Sequence, residues 1–600
     1  MKKKRPYILL AGLVNVVYAN VYLNTFHFDD ITAILEKPWI KGLDKIPMFI
    51  FSFSQRPLVI ISFNLNYYIS EFQVWSYHLF NIVFHTIAVW LVYRLVLELR
   101  AFSKNPDSFL NRRNGFIAAT LFALHPLNTQ AVTYISSRSS IMATCFFLAA
   151  TICLLKGFNS ENSFWQKTEK LKNQNIFFFT LSFLYLFLGI LCKEIIITFP
   201  VIAISTYSLF VSKHSFFLWI RQNFRTIVIM AFYLIFILVI VFFFQVFTHL
   251  VAEEGKTLTS LSKKPILDLP KYVFQFAIMS ENSFDWQTYL LTQTFVIPFE
   301  YFWKFFFPFN LSIDVNFPLI SDWTRVSSFF GIFILCFYLW VCFSVPSKVV
   351  CFGMLWGLVT ILPTSSFVPL FDIAVEHRTY LPLAGFSIAM GTIISNLVKF
   401  ASDYLDKNFT QKINQNIFSL AIPIIIFIYF GVLTSNRNKI WKDEISLWSD
   451  AKLKAPTIVR PYNNLGEAYN KLRNYSSAIN EFKAALRINP DYVIALSNLG
   501  NVYGKLKNYE ESTKYLRKSI SLKPNYAPAN YNLGKIHHIM GKLHQSRSYY
   551  QKAIKAEPYL SEAIFNLAYL ETQLGFYEDS IKNYSKFIDL RPKFWKAYLG

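Results

Sequence analysis

Two patterns divide the chain. Up to about residue 434, long apolar runs alternate with short polar stretches; beyond it, polar and apolar positions alternate with helical spacing. The apolar runs fall at residues 7–24, 77–98, 115–133, 140–156, 175–191, 195–212, 226–248, 327–344, 349–367, 382–398 and 417–434. A helix crosses the hydrocarbon core in ~20 residues. Although several runs are shorter, the pattern predicts about eleven spans. Residues 295–309 are also apolar, but Pro298, Glu300, Lys304 and Pro308 interrupt them. They read as an interfacial or re-entrant segment. In lipid every backbone polar group needs an internal partner, so helical spans make the expected fold all-α.

Charge gives this pattern a direction. Lys2-Lys3-Lys4-Arg5 precedes the first run and predicts an uncleaved signal anchor with a cytoplasmic N-terminus, although Ala19 offers a cleavage position. Each connection then counted as cytoplasmic is basic: Arg100, Lys104, Arg112 and Arg113; Lys167, Lys170 and Lys172; Lys213, Arg221 and Arg225; Lys348; Lys399, Lys407 and Lys412. Residues 25–76 and the C-terminal part are placed on the outer side. With 54% hydrophobic and 16% charged residues, 63 phenylalanines and a mean hydropathy of +0.33, the composition is that of an integral membrane protein. The net charge of +23 reads as bilayer orientation, because no nucleic-acid motif accompanies it. All six cysteines lie in or beside apolar runs without a Cys-x-x-Cys pair, which argues against zinc and a disulfide framework.

Beyond Thr434, Pro456, Pro490, Pro524, Pro558 and Pro592 recur every 34 residues. Leu465-Gly466, Leu499-Gly500, Leu533-Gly534 and Leu567-Ala568 keep the same period. Small residues where paired helices must meet, at this period, are the tetratricopeptide signature. The expected division is a membrane domain over 1–434 and a helical-repeat domain over 435–600, opened by a half-repeat at 441–456. The chain stops at Gly600, inside what reads as the first helix of another unit.

The chemistry-bearing residues cluster at run ends. Phe26-His27-Phe28-Asp29-Asp30 places two carboxylates where the chain leaves the first run. Under the predicted topology Arg56, Arg138, Lys193-Glu194, Glu376-His377-Arg378 and the helix-breaking His125-Pro126 lie on the same side. Basic side chains suit a phosphate leaving group, and a carboxylate suits removal of a proton from an attacking hydroxyl. Phosphate leaves unprotonated, so one base suffices for inversion.

The strings FHFDD (26–30), QRPL (55–58), ALHPLNTQAVTYISSRSSIMA (123–143), CKE (192–194) and EHRTYLP (376–382) resemble, in order, the GT-C membrane glycosyltransferases that carry C-terminal tetratricopeptide repeats, the transmembrane O-mannosyltransferases and their bacterial relatives. The middle loop at 249–326 departs from the family pattern. The resemblance implies transfer of a sugar, mannose first, from a polyprenyl- or dolichyl-phosphate carrier to Ser or Thr of a protein acceptor. It implies that Asp29 or Asp30 is the base, that Arg138, Lys193, Arg378 and His125 receive the donor phosphate and lipid, and that Glu194, Glu376 and Arg56 orient them. It places Asn464, Asn498, Asn532 and Asn566 on a peptide-binding face, and the site in the periplasm or endoplasmic reticulum lumen. No cofactor or divalent metal is expected, the sugar-bearing lipid being a co-substrate. A non-enzymatic scaffold recruiting proteins through the repeats is the alternative. A transporter fits less well, because the runs hold few charges and show no duplication.

Overall fold

The computed structural model describes residues 4–35, 38–41, 56–102, 108–159, 169–211, 286–321, 326–365, 370, 372–408, 415–591 and 594–599. The expected span at 226–248, most of the middle loop, and Lys104, Lys167, Lys213, Arg221, Arg225, Lys412 and Pro592 lie outside them. Every regular element among the described residues is helical. The chain forms two compact units, Met1–Asp443 and Glu444–Gly600. The boundary falls later than the composition change at Thr434, because the last apolar helix continues to Ile440.

The first unit contains α1 (Arg5–Val17), α2 (Pro57–Ser70), α3 (Val74–Ala101), α4 (Ser108–Leu124), the short α5 (Asn128–Thr133), α6 (Arg138–Asn159), α7 (Glu169–Ile190) and α8 (Phe199–Thr206). After the undescribed middle come α9 (Trp286–Val296), prolonged by a π segment and a last turn to Phe306, then α10 (Val326–Ser344), α11 (Lys348–Ile361), α12 (Tyr380–Asn408) and α13 (Gln415–Ile440). Among the described residues, five stretches are long and apolar enough to cross a membrane: Val74–Arg100, Ile135–Phe158, Glu194–Val211, Glu376–Ala401 and Ala421–Ile440. Arg5–Val17, Ile176–Ile190, Phe329–Ser344 and Lys348–Thr364 are shorter apolar helices.

Helices α3, α4, α6 and α12 form the centre, and α11 packs along α12. Small residues permit this. A Cβ on Gly391 would stand 2.7 Å from the Ala118 backbone, so α12 and α4 meet backbone to backbone. In lipid such close approach replaces the hydrophobic effect as the force holding helices together. The outer surface carries Phe183 and Phe187 on α7 and Phe329, Phe333, Phe337 and Trp340 on α10, all exposed. Lipid tails cover such a surface at no cost, whereas water would not.

The structure departs from the expected loop at 25–76, since α2 occupies its second half. Arg56 takes φ +60° immediately before Pro57, which starts the helix with its φ already set. The predicted span 115–133 is broken, with α4 ending at Leu124 ahead of His125-Pro126. Proline cannot continue the ladder, so the chain turns and restarts as α5.

In the second unit, α14 (Glu444–Lys454) precedes four helix pairs: Val459–Lys471 with Tyr475–Ile488, Val493–Lys505 with Tyr509–Leu522, Ala527–Ile539 with Leu543–Ala556, and Ser561–Gln573 with Tyr577–Leu590. Each pair closes on one small residue. Gly466, Gly500 and Gly534 lie where a Cβ would be 2.7–2.8 Å from Phe482, Leu516 and Tyr550. From the second pair onward a buried serine of the second helix donates to the carbonyl at that position: Ser512 to Gly500, Ser546 to Gly534 and Ser580 to Ala568. Trp448 and Ala451 are buried on α14, as the half-repeat requires. Trp441 instead belongs to the first unit, where it stacks on Tyr134.

Candidate active site

After α1 the chain turns through Asn24 and His27 to the two carboxylates, whose environments differ. Asp30 is fully buried. Its carboxylate accepts from the His27 N–H at 3.0 Å, the Ser136 N–H at 2.7 Å and the Ser136 hydroxyl. It ties the loop to the start of the Arg138 helix and is closed to a substrate. Asp29 is exposed. Its N–H donates to the Tyr134 hydroxyl at 3.1 Å, and that hydroxyl also lies within reach of the Asp29 carboxylate. Phe28, at φ +46°, pays a backbone cost to turn the chain there. Of the two expected bases, Asp29 alone presents its carboxylate outward.

Burial pushes the Asp30 carboxyl up to about 7, against the three donors that pull it down. A carboxyl whose folded pKa exceeds its unfolded value binds its proton more tightly in the native state. Native stability therefore falls as pH rises from about 4 to about 7, then levels. The melting temperature in detergent is expected to drop across this window, and Asp30→Asn to flatten the slope. An unchanged slope in the variant would show that Asp30 is not its source.

Tyr134 follows α5, and Gln130 of α5 accepts the His377 N–H at 2.8 Å. One short helix thus holds the Asp29 loop and the Glu376–Thr379 turn, placing both at one end of the helix bundle. Three cations gather by this turn. Lys193 is buried, and its ammonium donates to Ser140 Oγ at 2.8 Å. Burial, followed by the repulsion of Arg56 and Arg378, lowers its pKa to about 8, with Glu194 opposing. Arg378 is held by carbonyl oxygens, that of Asp372 at 2.9 Å and that of Ile373 at 3.3 Å. Arg56 approaches the Glu194 carboxylate at 3.3 and 3.4 Å, and both side chains are largely exposed. Three cations against one carboxylate leave a positive excess suited to a phosphodiester.

Three expected site residues are engaged elsewhere. Arg138 is fully buried; it donates from Nε to Asn81 at 2.7 Å, from Nη1 to Ser62 at 2.9 Å and Asn66 at 2.6 Å, and from Nη2 to the Tyr77 carbonyl at 2.9 Å. Phe63 covers the guanidinium at 4.6 Å. It fastens α2 and α3 to α6 and does not face the other cations. His125 Nδ1 accepts the Leu127 N–H at 3.2 Å, which leaves Nε2 as the donor to the Phe305 carbonyl at 3.1 Å. Both ring nitrogens are used, so it bolts the broken turn to the α9 extension instead of meeting a phosphate. Glu376 is buried and lies 3.7 Å from Arg437 of α13, so its ion pair is with α13 and not with the cation group.

On the repeats, Asn464, Asn498, Asn532 and Asn566 occupy equivalent, half-buried positions of the first helix of each pair. Neighbouring repeats are laddered there: Asn498 donates to Asn463 at 3.2 Å and Asn566 to the Tyr531 hydroxyl at 3.0 Å. Asn498 and Asn566 thus bond to the preceding repeat from the same position on the first helix of their pairs.

Sequence reasoning missed Tyr134, Ser136, Ser140 and Trp441. Tyr134 sits between Phe28, 6.0 Å away, and Trp441, stacked at 5.8 Å, while the Trp441 carbonyl pairs with His27 Nε2 at 2.8 Å. Tyr134, Ser136 and Ser140 stand inside the 123–143 string, but they are common residue types and only long-range contacts give them their roles.

Tetratricopeptide-repeat family models match residues 466–507, 493–526 and 527–559. The chain is 24% identical over 519 residues, 80% of its length, to "Protein O-mannosyl-transferase TMTC3" of Homo sapiens. It is 26% identical over 513 residues, 81% of its length, to "Protein O-mannosyl-transferase F38B6.6" of Caenorhabditis elegans. It spans 51% of the first relative and 63% of the second. Among solved structures, "Crystal structure of MamA" is 22% identical over 25% of this chain and 89% of that one, with a TM-score of 0.23.

Proposed function

We propose that the chain is a membrane glycosyltransferase that moves a sugar, mannose in first place, from a polyprenyl- or dolichyl-phosphate carrier to a Ser or Thr hydroxyl of a protein. The observation that carries this reading is the exposed Asp29 carboxylate held at the same end of the bundle as Arg56, Lys193 and Arg378. The similarity to proteins named O-mannosyl-transferases supports it.

In the proposed step the acceptor oxygen attacks the anomeric carbon from the face opposite the phosphate. Its proton passes to Asp29 as the new carbon–oxygen bond forms. The bond to the phosphate oxygen breaks with its electron pair, and the three cations stabilise the charge that develops there. The configuration inverts, and no separate acid is needed. Each side chain acts at a stated atom, so the chemistry needs no metal. The site faces the periplasm or the endoplasmic reticulum lumen, the N-terminus lies in the cytoplasm, and the repeats raise the acceptor's local concentration by holding an extended segment.

The decisive experiment incubates purified protein and an acceptor peptide with polyprenyl-phosphate-linked sugars and measures released lipid phosphate. Release from the mannose-bearing lipid, with the peptide glycosylated and activity retained in EDTA, is expected. No release from any sugar lipid would leave the scaffold reading; loss in EDTA with recovery on Mg²⁺ or Mn²⁺ would refute the metal-free step.

A further inference from the structure

The net charge of +23 is not confined to the membrane unit. Residues 444–600 hold 23 lysines and arginines against 13 aspartates and glutamates. They lie beyond the last apolar run, so bilayer orientation does not account for their excess. Along the repeats that excess is uneven. Residues 459–556 carry 16 basic and 5 acidic residues, whereas residues 557–600 carry 5 and 6. The positive charge belongs to the first three helix pairs.

Position decides which of these cations are neutralised. The first helices of those three pairs pack on one another, which puts them on the inner side of the curve. Lys471 ends the first of them and pairs with Glu444 at 2.7 Å. One period later Lys505 ends the second, but the place of Glu444 is taken by the buried Ala478. Lys505 Nζ instead donates to Asn470 of the preceding repeat at 2.9 Å. Glu467 of the first helix likewise gives way to Asn501 one period on and to Lys535 two periods on. Lys535 stands over the Tyr531 ring at 5.7 Å. Arg473, exposed on the turn after the first helix, completes a group of three. Burial, then the repulsion of Lys535 and Arg473, lowers the Lys505 pKa. Among the described residues none of the three is in an ion pair. By contrast Lys514 and Lys518, on a second helix, reach Glu511 and Asp491 at 3.0 Å.

Like charges held together raise the energy of the free protein, and an anion that enters among them lowers it. Asn498 lies two turns before Lys505, and Asn532 one turn before Lys535, on the same helix face. An amide pairs with either backbone group of an extended chain, a cation only with an acceptor or an anion. An extended chain with acidic side chains satisfies both. A bilayer of anionic lipid is flat and would meet the outside of the curve first.

We propose that the first-helix face of the second and third repeats binds an acidic segment of the acceptor protein, its carboxylates paired with Lys505, Lys535 and Arg473 and its backbone with Asn498 and Asn532. Charge complementarity identifies the occupant. The inference rests on the reading in which the repeats hold the acceptor, and deepens it: Ser and Thr flanked by Asp or Glu become the preferred targets.

The test measures binding of a labelled Ser/Thr peptide rich in Asp and Glu to the full-length protein in detergent, without donor lipid. The same peptide with Asn and Gln at the acidic positions is the comparison. Wild type is expected to prefer the acidic peptide, and the preference to shrink as salt is raised. Lys505→Gln and Lys535→Gln are each expected to weaken acidic-peptide binding about two- to fivefold, and about tenfold together, the worth of exposed ion pairs. Both side chains reach the surface, so folding is not at stake. Lys514→Gln, whose cation already has Glu511, is expected to change it by less than about twofold. Equal binding of both peptides, a double variant that keeps the preference, or an equal loss with Lys514→Gln would each overturn the proposal. So would capture by vesicles of anionic lipid, lost in the double variant, without any preference for the acidic peptide. Because no donor is present, a protein that binds the acidic peptide but transfers no sugar keeps this surface and loses only the glycosyltransferase reading.

Discussion

Asp29→Asn is expected to reduce sugar transfer by about two to four orders of magnitude, the usual worth of a positioned general base, and to leave the melting temperature close to that of the wild type. The Asp29 carboxylate is exposed, and the contact that shapes the loop is made by its backbone N–H, which asparagine keeps. Asp30→Asn is expected to do the reverse at low pH. There its main effect is on stability, because an amide nitrogen would face the His27 or Ser136 N–H and lose an acceptor, at about 1–3 kcal/mol. Lipid-phosphate release and thermal unfolding, measured on both variants, separate the roles. Full turnover by Asp29→Asn would exclude it as the base, and turnover lost only with Asp30 would reverse the assignment.

The second large effect lies at Arg138. Arg138→Met is expected to destabilise the membrane unit by about 3–5 kcal/mol, the range found when one member of a buried charged network is removed. The Ser62, Asn66 and Asn81 oxygens and the Tyr77 carbonyl would all lose a donor inside a closed space. Arg138→Lys is expected to recover little, since an ammonium cannot present the planar fork that reaches two neighbouring helices. Arg56→Gln should change stability by less than about 1 kcal/mol, because its pair with Glu194 is solvent-exposed, while raising the KM for the lipid donor. Unfolding in detergent, followed by intrinsic fluorescence, reads the first effect and donor titration the second. A normally folded Arg138→Met protein with impaired donor binding would restore Arg138 to the phosphate site.

The contrast between Arg138 and Arg56 shows where sequence reasoning reaches its end. Both are arginines placed on the predicted outer side, and both stand in strings that resemble the same family. Their difference lies in what the fold brings to them. Ser62, Asn66, Tyr77 and Asn81 surround Arg138 because α2 and α3 turn back against α6, and α2 itself was read as loop. His125 has the same history: the proline beside it was legible as a helix break, yet the carbonyl that captures its ring comes from Phe305, far along the chain.

What the chain determines by itself is local and periodic. Hydropathy over a span reports whether a helix can sit in lipid, and a 34-residue spacing of small residues and prolines reports stacked helix pairs, because each depends on near neighbours in the sequence. The tertiary structure alone decided that Asp30 is spent on Ser136 while Asp29 looks outward, that Arg138 and His125 are fasteners, and that Glu376 is buried beside Arg437. Those outcomes depend on burial and on partners tens to hundreds of residues away, and neither quantity is written in the order of side chains around a motif.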